Sequence, residues 1–421
     1  MRILVTLHNF VPEPTMGAET VAIAQIRELL RAGHWIALFY AGNAPPLPGQ
    51  LAALGLADLV IFRVPYHPTK AQVLLSIRKP WVERAFARAL HAFRPDVILF
   101  HHTVRLSLTL PLVAARAGVA SAYVLHDYYL QCPSYHLIAW DADVCPGGSP
   151  ERCAQCLYRT RYGRPPPAAL AAAATAALRW RERLVRRVVQ AIDLFISPSR
   201  AELSQAAARG LELAPAVLVP NGQQPAERLP PSSRGGGEVR FGYIGGIQRK
   251  KGIDLLVTAF SGELGRQLSI RGFRDTPSLA AFRKAHPEFQ GLLEPFDANR
   301  TALFRAVDLV VVPSICLENQ PMVILEAFAH GRPVLASRIG GLPEMFRDGE
   351  GGRFFEPGDP TALRRLVETL STDPSAVSAL AAKIPRWTTW AEAADQLHNH
   401  LQRLVSCSGN GSGKRLSSPI R

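Results

Sequence analysis

Short apolar runs recur along this chain: ILVTL at Ile3–Leu7, DVILF at Asp96–Phe100, AYVL at Ala122–Leu125, DLFIS at Asp193–Ser197, AVLV at Ala216–Val219 and VRFGYI at Val239–Ile244. Longer helix-like segments rich in Ala, Leu and Arg separate them. Such runs fit strands buried on both faces, and a helical crossover between successive strands makes the pairing parallel. The pattern predicts an α/β fold of parallel sheets. With 421 residues, 48% of them hydrophobic, the chain can build two domains with separate cores. No repeat of solenoid length interrupts the alternation.

In a doubly wound sheet, ligands bind outside the carboxyl ends of the strands, so the residues just after each run are the candidates for chemistry. After Leu7 comes a loop with Pro12, Pro14 and Gly17, then a helix expected from about Glu19 to Arg31, with Val21, Ile23, Ile26, Leu29 and Leu30 on its apolar positions. Gly17 would let backbone approach a phosphate or sugar, or it serves the turn alone. His101-His102 and His126-Asp127 follow two further strands. A second helix is expected over Leu178–Ile192, with an Arg-rich face suited to an anionic surface or to solvent. Gln223–Glu238, with its Pro, Ser and Gly, reads as a linker between domains 1–222 and 239–385.

The second domain opens with Val239–Ile244, a GGIQRKKG turn and a helix from Ile253. Arg249, Lys250 and Lys251 in that turn can neutralise a pyrophosphate, although GK[ST] is absent and the turn is no Walker motif. Further on, DLVVVPSICLENQPMVILE (308–326) reads as a strand, a loop ending at Glu318, and a helix opening at Pro321. The unpaired amides of that helix start, around Met322 and Val323, make an anion site. Glu318 before it and Glu326 within it could each accept hydroxyl hydrogen bonds on either side of a bound phosphate. A nucleotide-sugar has that layout. Each acid taken alone is as readily a solvated side chain.

Four of the six cysteines, Cys132, Cys145, Cys153 and Cys156, lie between 132 and 156 and end in a CxxC. In a reducing compartment this grouping points to a structural zinc, with an iron–sulfur cluster or free thiols as alternatives. The opening MRILVTLHNF lacks a signal-peptide core, and the longest bland run, Ala168–Leu178, is too short to span a bilayer. A cytoplasmic protein is expected, lying at the inner face of the membrane if it binds lipid. The formal charge of +14 favours an acidic partner. A nucleic-acid role is disfavoured, because the basic residues are spread and no recognition helix or aromatic platform accompanies them. Arg386–Leu404 is expected as a terminal amphipathic helix completing the first domain, and 405–421 as a disordered tail.

Together, MRIL with the Gly17-Ala18-Glu19 loop, LHDYY (125–129), ISPS (196–199), VPNG (219–222), YIGGIQRKKGIDLL (243–256), ENQPMVILEAFAHGRPVLAS (318–337), GGLPE (340–344) and Asp348-Gly349 resemble the retaining GT-B glycosyltransferases of family 4. The resemblance covers nearly the whole chain up to the tail. It implies two Rossmann-like domains facing across a cleft, with a nucleotide-sugar donor on the C-terminal one and a polysaccharide or lipid-linked sugar acceptor on the other. It implies Glu326 on the ribose hydroxyls, Glu318 near the transferred sugar, Lys251 on the pyrophosphate, His126 at the donor sugar and Gly17 near the reacting phosphate, with no catalytic metal. One departure stands out. The family usually carries Arg after the first glycine of the phosphate turn, where this chain has Gly246; either Arg249 substitutes for it or phosphate binding is weaker. A nucleotide-sugar epimerase and a non-catalytic donor-binding scaffold are the competing readings.

Overall fold

The computed structural model describes residues 1–13, 17–66, 77–140, 144–230, 238–272, 277–287, 289, 293–295 and 300–409. The chain divides into two compact units. One is built from Met1–Asp141, Cys145–Gly222 and the C-terminal helix from Trp390; the other chiefly from Gln223–Thr389.

In the first unit seven strands form one sheet: β1 (Arg2–Leu7), β2 (Trp35–Ala41), β3 (Val60–Val64), β4 (Val97–Phe100), β5 (Ala120–Val124), β6 (Leu194–Ser197) and β7 (Ala216–Leu218). Their order is β3-β2-β1-β4-β5-β6-β7, and every pairing is parallel, with Ile3 opposite both Ile36 and Val97. Successive side chains point to opposite faces, so the sheet feeds two apolar layers. Leu4, Phe39, Phe100 and Tyr123 enter one layer with Phe86 and Val188 of flanking helices. Ile3, Val5, Leu38, Leu99 and Val124 enter the other with Ile26.

In the second unit six strands, β8 (Phe241–Gly245), β9 (Leu268–Gly272), β10 (Leu293–Pro295), β11 (Leu309–Val312), β12 (Val334–Ser337) and β13 (Gly352–Phe355), follow the order β10-β9-β8-β11-β12-β13, again all parallel. Both sheets thus share one winding. The chain moves outward one way from the first strand, then returns to pair the fourth strand on its other side. At that reversal, two adjacent strands send their following loops to opposite faces and leave a crevice between them. In the first unit the crevice lies past β1 and β4, in the second past β8 and β11. The parallel α/β architecture is therefore the one the apolar runs predict, and the two Rossmann-like units are those the family resemblance implies.

Several boundaries differ from the sequence reading. The expected helix Leu178–Ile192 runs from Ala168 to Ala191, because the Ala-rich stretch before it carries the highest helix propensity of any residue. The C-terminal helix spans Trp390–Gly409 rather than 386–404. Trp390 starts it as a buried anchor, and Val405 still packs on the apolar layer of the first sheet, so the helix continues past Leu404. The rest of the expected tail lies outside the described residues. The linker's described part is bonded to the second unit: the Gln223 amide donates to the Thr388 carbonyl at 2.9 Å, and the Leu229 amide to that of His330 at 3.1 Å. Cys153 and Cys156 sit on a helix, Pro150–Tyr162, whose start is capped by the Ser149 hydroxyl accepting from the Arg152 amide.

The returning C-terminal helix buries Leu397 and Leu401 completely. Leu397→Ala should therefore cost about 2–5 kcal/mol, read as a lower denaturant midpoint for unfolding of the first unit. An unchanged midpoint would mean that this helix is dispensable to the core.

Candidate functional site

The second unit's crevice is set by close backbone approaches. Gly252, at φ +74°, ends the basic turn Arg249–Lys251 that follows β8, and a Cβ there would lie 1.7 Å from the Pro313 carbonyl oxygen after β11. Only glycine fits. The Ile315 and Cys316 amides donate to the Lys250 carbonyl at 3.1 and 3.2 Å, locking the two loops together. Gly340, at φ +58°, makes the same allowance on the far side, since its Cβ would stand 2.3 Å from the Glu318 carbonyl oxygen. The Gly341 amide donates to that oxygen at 2.8 Å.

Between these clamps, Lys251 Nζ donates to Glu318 Oε1 at 2.6 Å, and the Ser314 hydroxyl donates to the same oxygen at 2.7 Å. The Cys316 thiol lies 3.8 Å from it. Burial alone would push the Glu318 carboxyl up, but the Lys251 charge and the two hydrogen bonds outweigh it and hold the group below its ordinary value. For Lys251 burial would depress the ammonium, and the Glu318 charge keeps it above its usual value. Burial, then the Glu318 charge, pushes the Cys316 thiol up to about 12. The crevice thus holds a charged acid and a charged base in contact. Sequence reasoning expected Lys251 and Glu318 to meet different parts of a ligand, and the structure joins them to each other.

Arg249 lies exposed on the turn. Met322 and Val323 are the first two residues of the helix Met322–Ala329, both half-buried, with Pro321 as the residue before it. Glu326 is buried in the same helix at 5% exposure, which excludes the ordinary surface acid. Ser314 and Gly340 were not among the sequence candidates. Gly340 could have been suspected from the Gly340-Gly341 pair, whereas a serine after a strand carries no signal of its own.

In the first unit the crevice carries histidines. His8 follows β1, His101 and His102 follow β4, and His126 and Asp127 follow β5. His101 Nδ1 and His126 Nε2 are 2.8 Å apart, His102 Nε2 reaches Asp127 Oδ2 at 3.1 Å, and His8 Nε2 reaches Glu19 Oε1 at 3.0 Å. The rings of His8 and His102 lie 4.8 Å apart, which makes one contiguous patch. Burial, reinforced by the His102 charge, pushes His126 down to about 3; burial likewise lowers His8 and, more strongly, His101. These three are neutral at pH 7. Burial would raise Asp127, yet His102 and the Tyr129 amide, which donates to Oδ1 at 2.9 Å, hold it ionised below its ordinary value. A neutral imidazole in such a setting can donate or accept one proton in a hydrogen bond without bringing charge. Gly17 begins the helix Gly17–Arg31, with open space where a Cβ would stand. His8 and Glu19 were not among the candidate site residues of the sequence; position after a strand marks His8, and Glu19 entered only as part of the Gly17-Ala18-Glu19 motif.

The four cysteines line one pocket. Among the described residues, no three His, Cys, Asp or Glu side chains already converge as a ligand set. No helix among the described residues is long and apolar enough to cross a membrane.

Two Rossmann-like units of identical winding, one with a basic turn clamped to a Glu-bearing loop, define the GT-B class. Solved structures of that fold agree. A sucrose-phosphate synthase from Thermosynechococcus elongatus superposes with a TM-score of 0.70 at 17% identity over 96% of this chain and 99% of its own. Anabaena HepE in complex with UDP and glucose gives 0.65 at 18% identity, over 95% and 99%. In sequence, residues 15–227 match the Glycosyltransferase Family 4 description and residues 238–373 match Glycosyl transferases group 1. The chain belongs to glycosyltransferase family 4, group 1. A phosphatidyl-myo-inositol mannosyltransferase from Mycobacterium leprae is 30% identical over 55% of this chain and 62% of its own length. The chain matches less than two thirds of the length of these curated relatives.

The buried neutral histidines carry a pH signature. Unfolded, each takes up a proton near pH 6.5; folded, His126 does so only near 3. Between those values the unfolded chain binds more protons, so stability falls as pH falls. The melting temperature should be flat above about pH 7.5 and decline below about 6.5. His126→Gln should flatten that decline, and an equal slope in the variant would refute the buried neutral state.

Proposed function

We propose that the chain is a retaining glycosyltransferase that moves a sugar from a nucleotide-sugar to a polysaccharide or lipid-linked acceptor, without a catalytic metal. The observation that carries this reading is the Lys251–Glu318 contact at 2.6 Å, at the crevice of the second sheet and just ahead of the helix start at Met322. An ammonium, the exposed Arg249 and the amides of Met322 and Val323 supply positive potential where a pyrophosphate would lie. Glu326, buried four residues into that helix, is the acceptor for ribose hydroxyls. Glu318, its charge held by Lys251 and Ser314, orients the sugar.

The reaction follows from charge. As the bond from the anomeric carbon to the phosphate oxygen breaks, its electron pair goes to that oxygen, where Lys251 and Arg249 neutralise the growing charge. The acceptor hydroxyl then bonds to the same carbon on the face the phosphate leaves, and its proton passes to the departing phosphate oxygen. Configuration is retained and no enzymatic nucleophile is needed. His126, neutral and tied to His101 in the first unit, and Gly17 are the residues to which the family resemblance assigns the donor sugar and the reacting phosphate. A nucleoside diphosphate bound by a neighbour of the same fold supports a donor of that kind. An anionic membrane face suits the chain's formal charge of +14.

Without added divalent metal, one nucleoside diphosphate series should raise the melting temperature, as any ligand of the folded state must. Lys251→Ala and Glu326→Ala should each weaken that binding about tenfold or more, roughly 1.4 kcal/mol, measured by titration calorimetry. Glu318→Ala should lower kcat more than it weakens nucleotide binding. Unchanged binding and turnover in all three would overturn the assignment.

A further inference from the structure

We propose that Cys132, Cys145, Cys153 and Cys156 form a structural zinc site that ties the segment after β5 to the helix Pro150–Tyr162. The inference is independent of the glycosyl-transfer reading. Three separate pieces of chain deliver the thiols to one pocket: the turn at Cys132, the loop at Cys145, and the helix with Cys153 and Cys156 one turn apart. Its other walls include Ile138 and Leu157, which leave the sulfurs as the soft ligands available there. Four thiolates at about 2.3 Å from one ion would complete the tetrahedral sulfur set that zinc takes in structural sites.

Three observations outside the sulfurs point the same way. First, the chain between β5 and Ser149 has no helix and only an isolated bridge in its described part, yet it holds Tyr135 and Leu137 at φ +56° and +50°. Non-glycine residues keep that conformation only where something beyond local preference imposes it. Secondly, the backbone passes so close to Cys153 that a Cβ on Gly148 would lie 2.8 Å from its sulfur. Thirdly, Arg181 is buried at 5% exposure and bonded to the Tyr129 carbonyl, with no carboxylate in ion-pair contact among the described residues. Zinc on four thiolates carries a net charge of −2 by its formal charges, which supplies a counter-charge to Arg181.

Zinc would bind the deprotonated thiols, so uptake of the ion releases their protons. The site would also steady the histidine patch, because the Cys132 amide donates to the Tyr128 carbonyl at 2.7 Å, next to the Asp127 that holds His102.

The test uses the full chain purified without chelator. Elemental analysis should find about one zinc per chain. Removing it should lower the melting temperature, with recovery on adding Zn²⁺ but not Mg²⁺. Replacing it with Co²⁺ should give thiolate-to-cobalt charge-transfer absorption in the near ultraviolet. Cys153→Ser with Cys156→Ser should lose the metal; because that variant could misfold, the cobalt spectrum of the unaltered chain is the deciding measurement. Substoichiometric zinc with no cobalt–thiolate band would overturn the proposal. So would iron with sulfide, or a Cys153–Cys156 disulfide found by mass in freshly prepared protein.

Discussion

Everything functional in this chain depends on one geometric constraint: in an all-parallel sheet every strand delivers its carboxyl end to the same edge. The order β10-β9-β8-β11-β12-β13 then opens a crevice past β8 and β11, and the matching order of the first sheet opens one past β1 and β4. The Lys251–Glu318 contact and the His8–His102 patch occupy those two places because no other part of a parallel sheet leaves loops diverging from adjacent strands. The winding therefore chooses where chemistry can happen before any side chain is considered.

Holding a lysine and a glutamate in contact where Glu318 has 12% side-chain exposure and Lys251 34% calls for a backbone that cannot relax away. Burial costs both charges part of their hydration, and their attraction offsets this only with good geometry and further hydrogen bonds. Gly252 and Gly340 supply the geometry by letting backbones approach to distances a Cβ forbids, and Ser314 supplies a further bond. Under the proposed function, the pair that satisfies each charge presents an ammonium whose partner a donor phosphate would replace. On this view the site is pre-formed and electrically balanced.

The first unit solves the opposite problem. Its crevice buries imidazoles, which are tolerated because burial keeps His8, His101 and His126 neutral while Asp127, bonded to His102, carries the charge. The C-terminal helix Trp390–Gly409 closes the apolar layer beneath, through Leu397, Leu401 and Leu404. A chain segment remote in sequence thus completes the core under a site that it does not line.

The sequence by itself determined the fold class, the positions of most strands, and the candidacy of Lys251, Glu318, Glu326 and His126. Apolar runs and their spacing are local quantities, and strand ends in a parallel sheet are known once the strands are. It also grouped the four cysteines, since they are near neighbours along the chain. Only the tertiary structure decided that Lys251 is bonded to Glu318, that His8 reaches Glu19 and lies against His102, and that Glu326 is buried. It alone set the true extent of the Ala168–Ala191 and Trp390–Gly409 helices. Each of these depends on contacts between residues far apart in sequence, or on a boundary that packing moves by a turn or more, and no local pattern of residue types encodes either.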